Sequence, residues 1–158
     1  MNKILADMHT HTIASGHAYA TLTEMCKEAA NKGLEIYGIT EHSSGIPGTC
    51  ADIYFQNLRV VPRDLFGLDL RLGAEINIID YNGTLDLDQK YIDRLDFVIA
   101  GIHSVCYKFG SKEENTAAII NAIKNPNVNI ISHPDDGRCP LDYEPLFRLQ
   151  KNITFFLK

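Results

Sequence analysis

The sequence predicts an α/β fold built on a parallel sheet, and three observations predict it. Strand-like apolar runs alternate with helix-like stretches along the chain. Each strand-like run ends in, or encloses, a polar residue that could bind a ligand. These residues recur at the interval of one βα unit. Successive separations along His9, His42, Glu75, His103 and His133 are 33, 33, 28 and 30 residues, against about 30 for such a unit.

Taken in order, the first run spans residues 4–9 and leads into His11. Thr21-Leu22-Thr23-Glu24 is a capping box, with acceptor and carboxylate three apart. Leu22, Met25, Cys26, Ala29 and Ala30 follow at helical spacing, and Gly33 stops that helix. The second run, residues 35–40, ends at Glu41-His42. A Gly/Pro loop at 45–48 precedes a stretch at 54–63 of mixed aromatic and basic character. That stretch reads as an amphipathic helix packed on the sheet, or as one wall of a substrate pocket. The third run, residues 70–79, is apolar and alternates around Glu75. A short helix at 86–95 precedes the fourth run, 97–102, which ends at His103. Ser111 and Glu114 form a second capping box, whose helix carries Ala118, Ile119, Ala122 and Ile123 and stops at Asn125-Pro126. The fifth run, 128–132, ends at His133; residues 142–150 read as a helix and 153–157 as a sixth strand.

Length and composition bound the function. At 158 residues with 45% hydrophobic content, the chain is long enough for one domain with a proper core. Fifteen basic against 20 acidic residues, a net charge of −5, give neither a nucleic-acid footprint nor a polybasic membrane patch. Bound metals would let such a protein hold a phosphorylated substrate. Residues 1–12 contain no signal-peptide core, and no segment reaches membrane-spanning length. Cys26, Cys50, Cys106 and Cys139 are scattered, which suits reduced thiols and a cytoplasmic location.

The chemistry concentrates in the six histidines and Glu75. His9 and His11 are two apart, so on a strand both imidazoles face one side and can reach one ion. His17 lies just beyond, in a loop with Gly16. Glu75 sits in an apolar run, where a lone charge is costly and a carboxylate bridging two cations is not. None of the six histidines falls on a predicted helix, so His9, His11, His17, His42, Glu75, His103 and His133 are read as metal ligands at the carboxyl edge of the sheet. His and carboxylate donors suit zinc, with manganese or iron as alternatives. Such ions clamp a phosphate and lower the pKa of bound water to about 7, which provides a hydroxide nucleophile. His9, His11, Glu75, His103 and His133 are the residues expected to carry catalysis. Asp7 either orients a histidine ring or caps the strand end. Cys106, three after His103, has ligand spacing but reads more simply as packing. Arg138 is a candidate for a substrate phosphate, with a solvated loop arginine as the plainer reading.

At this point the motifs resemble the polymerase-and-histidinol-phosphatase (PHP) family. The resemblance lies in Asp7-Met8-His9-Thr10-His11-Thr12, Thr40-Glu41-His42, Gly73-Ala74-Glu75, Gly101-Ile102-His103-Ser104 and Ile131-Ser132-His133-Pro134. Asn57-Leu58-Arg59 and Val61-Pro62-Arg63 resemble its YcdX-like phosphatase branch. The resemblance implies a distorted (β/α)7 TIM-like barrel, of which about five to six βα units are present, and a trinuclear, usually zinc, phosphoesterase site. It implies one ion at His9, His11 and Glu75, a second at Glu75, His103 and His133, and a third to which His17 and His42 contribute. The family's last motif, of Asp-Ala-His type, is not found before Lys158. A single PHP domain over 1–158, lacking the C-terminal units with that motif, is therefore expected. The expected activity is hydrolysis of a small phosphorylated substrate by metal-activated hydroxide, with nucleic acid and membrane unexpected as partners. The alternatives are a catalytically impaired metal-binding remnant, a histidinol-phosphatase-like enzyme, and a homo-oligomer in which a second copy completes the barrel.

Overall fold

The computed structural model describes residues 4–150 and 156–157, and its centre is a curled sheet. The strands are β1 (Ala6–Asp7), β2 (Ile36–His42), β3 (Asp64–Leu65), β4 (Leu68–Asn77), β5 (Val98–Gly101), β6 (Val128–Ile131) and β7 (Phe156–Leu157). Their order is β1-β2-β4-β5-β6-β7, all parallel, with β3 antiparallel on β4. Helices α1 (Leu22–Asn31), α2 (Ile53–Asn57), α3 (Gln89–Ile92), α4 (Lys112–Ile123) and α5 (Tyr143–Gln150) fill the connections. The result is the half-barrel of an incomplete TIM-like α/β barrel.

β4 is the middle of the sheet, and its sequence explains why. Leu68, Leu70, Leu72, Ala74 and Ile76 share one face of β4 and, with Ile78 just past it, are all buried, while the other face is exposed at Asp69 and Arg71 and buried from Gly73 to Asn77. Each large aliphatic side chain so buried is worth about 1.5–3 kcal/mol relative to exposure. Both capping boxes form as expected. The Thr21 N–H donates to Glu24 Oε2 at 2.7 Å, and the Ser111 N–H donates to Glu114 Oε2 at 2.8 Å. α1 turns Cys26 and Ala29 inward, and α4 turns Ala118, Ile119, Ala122 and Ile123 inward.

Three elements differ from expectation, each for a local reason. The first run pairs as a strand only over Ala6–Asp7, because the Asp7 carboxylate then takes the His9 N–H at 3.2 Å and turns the chain. The helix expected over 86–95 shrinks to Gln89–Ile92. Asp86 is drawn instead to Ser43, Gly45 and Asn77, and Ile78 bridges Leu85. The stretch 54–63 is not one helix: α2 passes into a 3-10 turn at Leu58–Val60, and the chain then enters the β3–β4 hairpin. That hairpin turns on Phe66 (φ 57) and Gly67 (φ 79), the positive-φ pair of a tight turn. Phenylalanine is an unusual choice there, so no turn signature announces it. Of the sixth strand, Phe156–Leu157 pairs with β6; residues 153–155 lie outside the described residues. Among the described residues no helix is long and apolar enough to cross a membrane. All four cysteines are free.

Candidate metal centre

The seven residues singled out from the sequence converge at the carboxyl ends of the strands. His42 is the last residue of β2 and pairs in register with Glu75 of β4. His103 and His133 lie two residues beyond β5 and β6, and His9 and His11 follow β1. His133 adopts φ 32, in the left-handed region. Such strain costs of order 1–3 kcal/mol and persists where the surroundings dictate it.

Glu75, 1% exposed, is the hub. Its Oε2 lies 2.9 Å from His9 Nε2, 3.2 Å from His11 Nε2 and 3.3 Å from His42 Nδ1. Its Oε1 lies 3.2 Å from His133 Nε2 and 3.4 Å from His103 Nε2. The His9 and His11 Nε2 atoms are 3.2 Å apart, as are those of His103 and His133. Zinc bonds of about 2.0–2.2 Å at tetrahedral angles separate neighbouring donor atoms by about 3.3–3.6 Å, close to these spacings. His42 Nδ1 is buried and makes no hydrogen bond among the described residues, despite its nearness to Glu75. A buried nitrogen lone pair aimed at a carboxylate is unfavourable by itself and becomes favourable with a cation between them. The donor set and its spacing therefore fit divalent ions. Among the described residues, groups with donors close enough to share one ion include His9-His11-Glu75, His42-Glu75-His103 and His11-His17-His42, and Glu75, His103 and His133 are as near to one another.

The protonation energetics agree with this geometry. Burial alone would raise the Glu75 carboxyl, but hydrogen bonds from His103, His11, His133 and His9 outweigh it and hold it well below the usual range. Burial drives His42 down to about 3, against the pull of Glu75, so its ring is neutral and able to ligate near pH 7. The hydrogen bond to Glu75 raises His133, with burial opposing.

The chain is similar to known proteins in sequence and in fold. The PHP domain profile matches residues 7–132. The chain belongs to the PHP domain family. It is 46% identical over 156 residues to a protein of Acetivibrio thermocellus described as a probable phosphatase, covering 99% of this chain and 65% of that one. A probable phosphatase of Caldicellulosiruptor saccharolyticus is 49% identical over 145 residues, covering 92% of this chain and 61% of that one. The chain thus spans less than two thirds of the length of these relatives. Among solved structures, histidinol phosphate phosphatase of Lactococcus lactis, complexed with zinc, L-histidinol and phosphate, superposes with a TM-score of 0.50 at 20% identity. The superposition covers 88% of this chain and 61% of that one, and at this identity it speaks to the PHP fold alone.

The remaining candidates of this PHP chain divide. The Asp7 carboxylate accepts the His9 backbone N–H at 3.2 Å. Cys106 is outside the ion-sharing groups, and burial raises its thiol. Arg138 stands on the rim of a depression of about 360 Å³ beside His103 and His133, clamped to Asp136 by bonds of 2.7–3.1 Å. That pairing holds the Asp136 carboxyl down, at about 2. The 54–63 stretch does line a groove, through Tyr54, Gln56, Asn57 and Arg59, but no cluster residue borders it.

Sequence reasoning missed the residues behind the ligands. Glu41, fully buried, accepts hydrogen bonds from the Thr12 N–H, the Thr12 hydroxyl and the Ser15 hydroxyl. Asp86 ties Ser43, beside His42, to Asn77, two residues past Glu75. The signal available was the one used for Glu75: a carboxylate at position 41 directly follows the apolar second run.

Proposed function

We propose that this chain is a metal-dependent phosphoesterase of the PHP type acting on a small phosphorylated molecule, with residues 1–158 working as one domain. The observation that carries the reading is the Glu75 carboxylate, buried and surrounded at 2.9–3.4 Å by five histidine nitrogens. His9, His11 and Glu75 would hold one ion, Glu75, His103 and His133 a second, and His17 with His42 would contribute to a third. Zinc suits this nitrogen and oxygen donor set, with manganese or iron as alternatives. When bound, such ions polarise a phosphoryl oxygen and activate water near neutral pH. The chain's own part is to fix the donors, exclude bulk water from Glu75 and present the depression beside His103 and His133 to the substrate. Arg138 at its rim offers a planar fork to phosphate oxygens once released from Asp136. The acidic net charge favours a small substrate over nucleic acid, and the similarity to proteins described as probable phosphatases supports the reaction class.

The test is direct. Metal-stripped protein reloaded with Zn²⁺ or Mn²⁺ should hydrolyse p-nitrophenyl phosphate, and His9→Ala should abolish the activity. Turnover that survives both this substitution and chelation overturns the reading. Ions bound without turnover would instead identify a metal-binding domain. Light scattering over a range of concentrations decides whether a second copy is needed for activity.

A further inference from the structure

We infer that Ser15 is a positioning residue that selects the ring tautomers of His11 and His17 and so decides which nitrogen each presents for coordination. The inference rests on the metal-centre reading above. Ser15 is 1% exposed, in the 3-10 turn Ile13–Ser15 between the His9/His11 segment and α1. Gly16 closes this turn at φ 75, and a Cβ there would stand 2.2 Å from the Gly48 carbonyl oxygen, so the turn is held tightly against the 45–48 loop. The Cys50 N–H donates to the Ala14 carbonyl at 2.8 Å and anchors the turn from the same side.

The hydroxyl has one proton and three partners. It donates to Glu41 Oε2 at 2.5 Å. It accepts the His42 backbone N–H at 3.1 Å. The third partner is His11 Nδ1, also at 3.1 Å. Because the serine proton is committed to Glu41, His11 Nδ1 must be the donor in this contact. The His11 ring therefore carries a proton on Nδ1, and Nε2, 3.2 Å from His9 Nε2 and from Glu75 Oε2, is the nitrogen left to serve an ion. The Ser15 carbonyl completes the arrangement. It lies 3.1 Å from His17 Nδ1 and can only accept, so His17 is also Nδ1–H with a free Nε2 lone pair. One residue therefore sets the ligating face of two histidines and pins the backbone of a third. Glu41 acts behind it by holding the serine proton away from His11, and Thr12, through its N–H and hydroxyl, holds Glu41 in place. A partner behind a ligating imidazole that fixes its tautomer is a recurrent need of metal sites.

The experiment uses the whole chain. Long-range ¹H–¹⁵N spectra of the imidazole rings in metal-free protein should show His11 and His17 protonated at Nδ1. Glu41→Gln places an amide N–H beside the serine oxygen and frees the serine proton for His11. It should therefore switch His11 to Nε2–H while leaving His17 unchanged, a readout that a purely structural role would not move. Ser15→Ala, titrated with Zn²⁺ in competition with a chelator, should weaken the ions that use His11 and His42 by about 10- to 100-fold. The ion held by Glu75, His103 and His133 should keep its affinity. Circular dichroism establishes that each variant is folded; if Ser15→Ala is not, the Glu41→Gln spectra decide alone. A His11 ring without a proton on Nδ1 in the parent protein, or one with Nδ1 still protonated in Glu41→Gln, overturns the inference. So does unaltered zinc affinity at every site of a folded Ser15→Ala. None of these readouts involves turnover, so they stand or fall apart from the phosphoesterase reading.

Discussion

Replacing Glu75 by glutamine keeps the shape of the hub and removes its charge. The side chain is 2% exposed and its two oxygens serve five histidine nitrogens, so no neighbouring carboxylate among the ion-sharing groups can take its place. An amide offers one oxygen where the carboxylate offers two, and the Glu75-centred groups lose their anion at once. Changing a residue that merely orients a ligand already costs 10- to 100-fold in metal affinity, so a loss of at least about 100-fold is expected here. The consequence for stability can be worked out. At a free metal concentration of about 100 times the dissociation constant, binding stabilises the parent protein by about 2.7 kcal/mol. For a chain of this length that raises Tm by about 5–11 °C. With affinity down 100-fold, the same metal concentration contributes about 0.4 kcal/mol and about 1–2 °C. The assay is a pair of thermal melts, with and without Zn²⁺, for the parent and Glu75→Gln, alongside metal counts per chain. A variant that keeps the full metal-induced rise in Tm would refute the role given to Glu75. His17→Ala is the matched control, because it touches only the His11-His17-His42 group and should leave most of the shift in place.

Two further outcomes follow from the geometry. His42 titrates near 3 in the folded chain, from an ordinary value of 6.5; the unfolded chain therefore binds the extra proton between those values, and stability of the metal-free protein falls as pH drops through that window. The His42 share of that slope is at most about 1.4 kcal/mol per pH unit, and His42→Gln should flatten urea midpoints measured from pH 6.5 down to pH 4; an unchanged slope contradicts the burial argument. At Gly101 an added Cβ would stand 2.2 Å from Ser132 Oγ and 3.2–3.4 Å from the His103 and His133 rings. Gly101→Ala should therefore cost about 1–3 kcal/mol and disturb the ion at those two histidines while sparing the His9-His11 end, as read by zinc titration.

Periodicity made much of this molecule legible from its residues. Apolar runs about 30 residues apart imply βα units, and each unit brings its terminal histidine to the same sheet edge, so the membership of the cluster follows from chain order. Glu75 was readable because a charge inside an apolar strand needs a partner. Both capping boxes were readable because their partners are three residues apart. What lacked a signature was whatever depends on groups distant in the chain. Asp86 forgoes an ordinary helix start to reach Ser43 and Asn77, and the Phe66-Gly67 hairpin replaces part of an expected helix.

The sequence by itself determined which side chains gather, because strand period and unit length are properties of the chain. Only the tertiary structure decided how they are used: which oxygen of Glu75 each ring meets, and which nitrogen each ring offers. Those choices turn on single hydrogen bonds, such as that between Ser15 and Glu41, which lie 26 residues apart and come within 2.5 Å only after the sheet has curled. A proton's position is set by three-dimensional distances, and no periodic pattern along a chain encodes it.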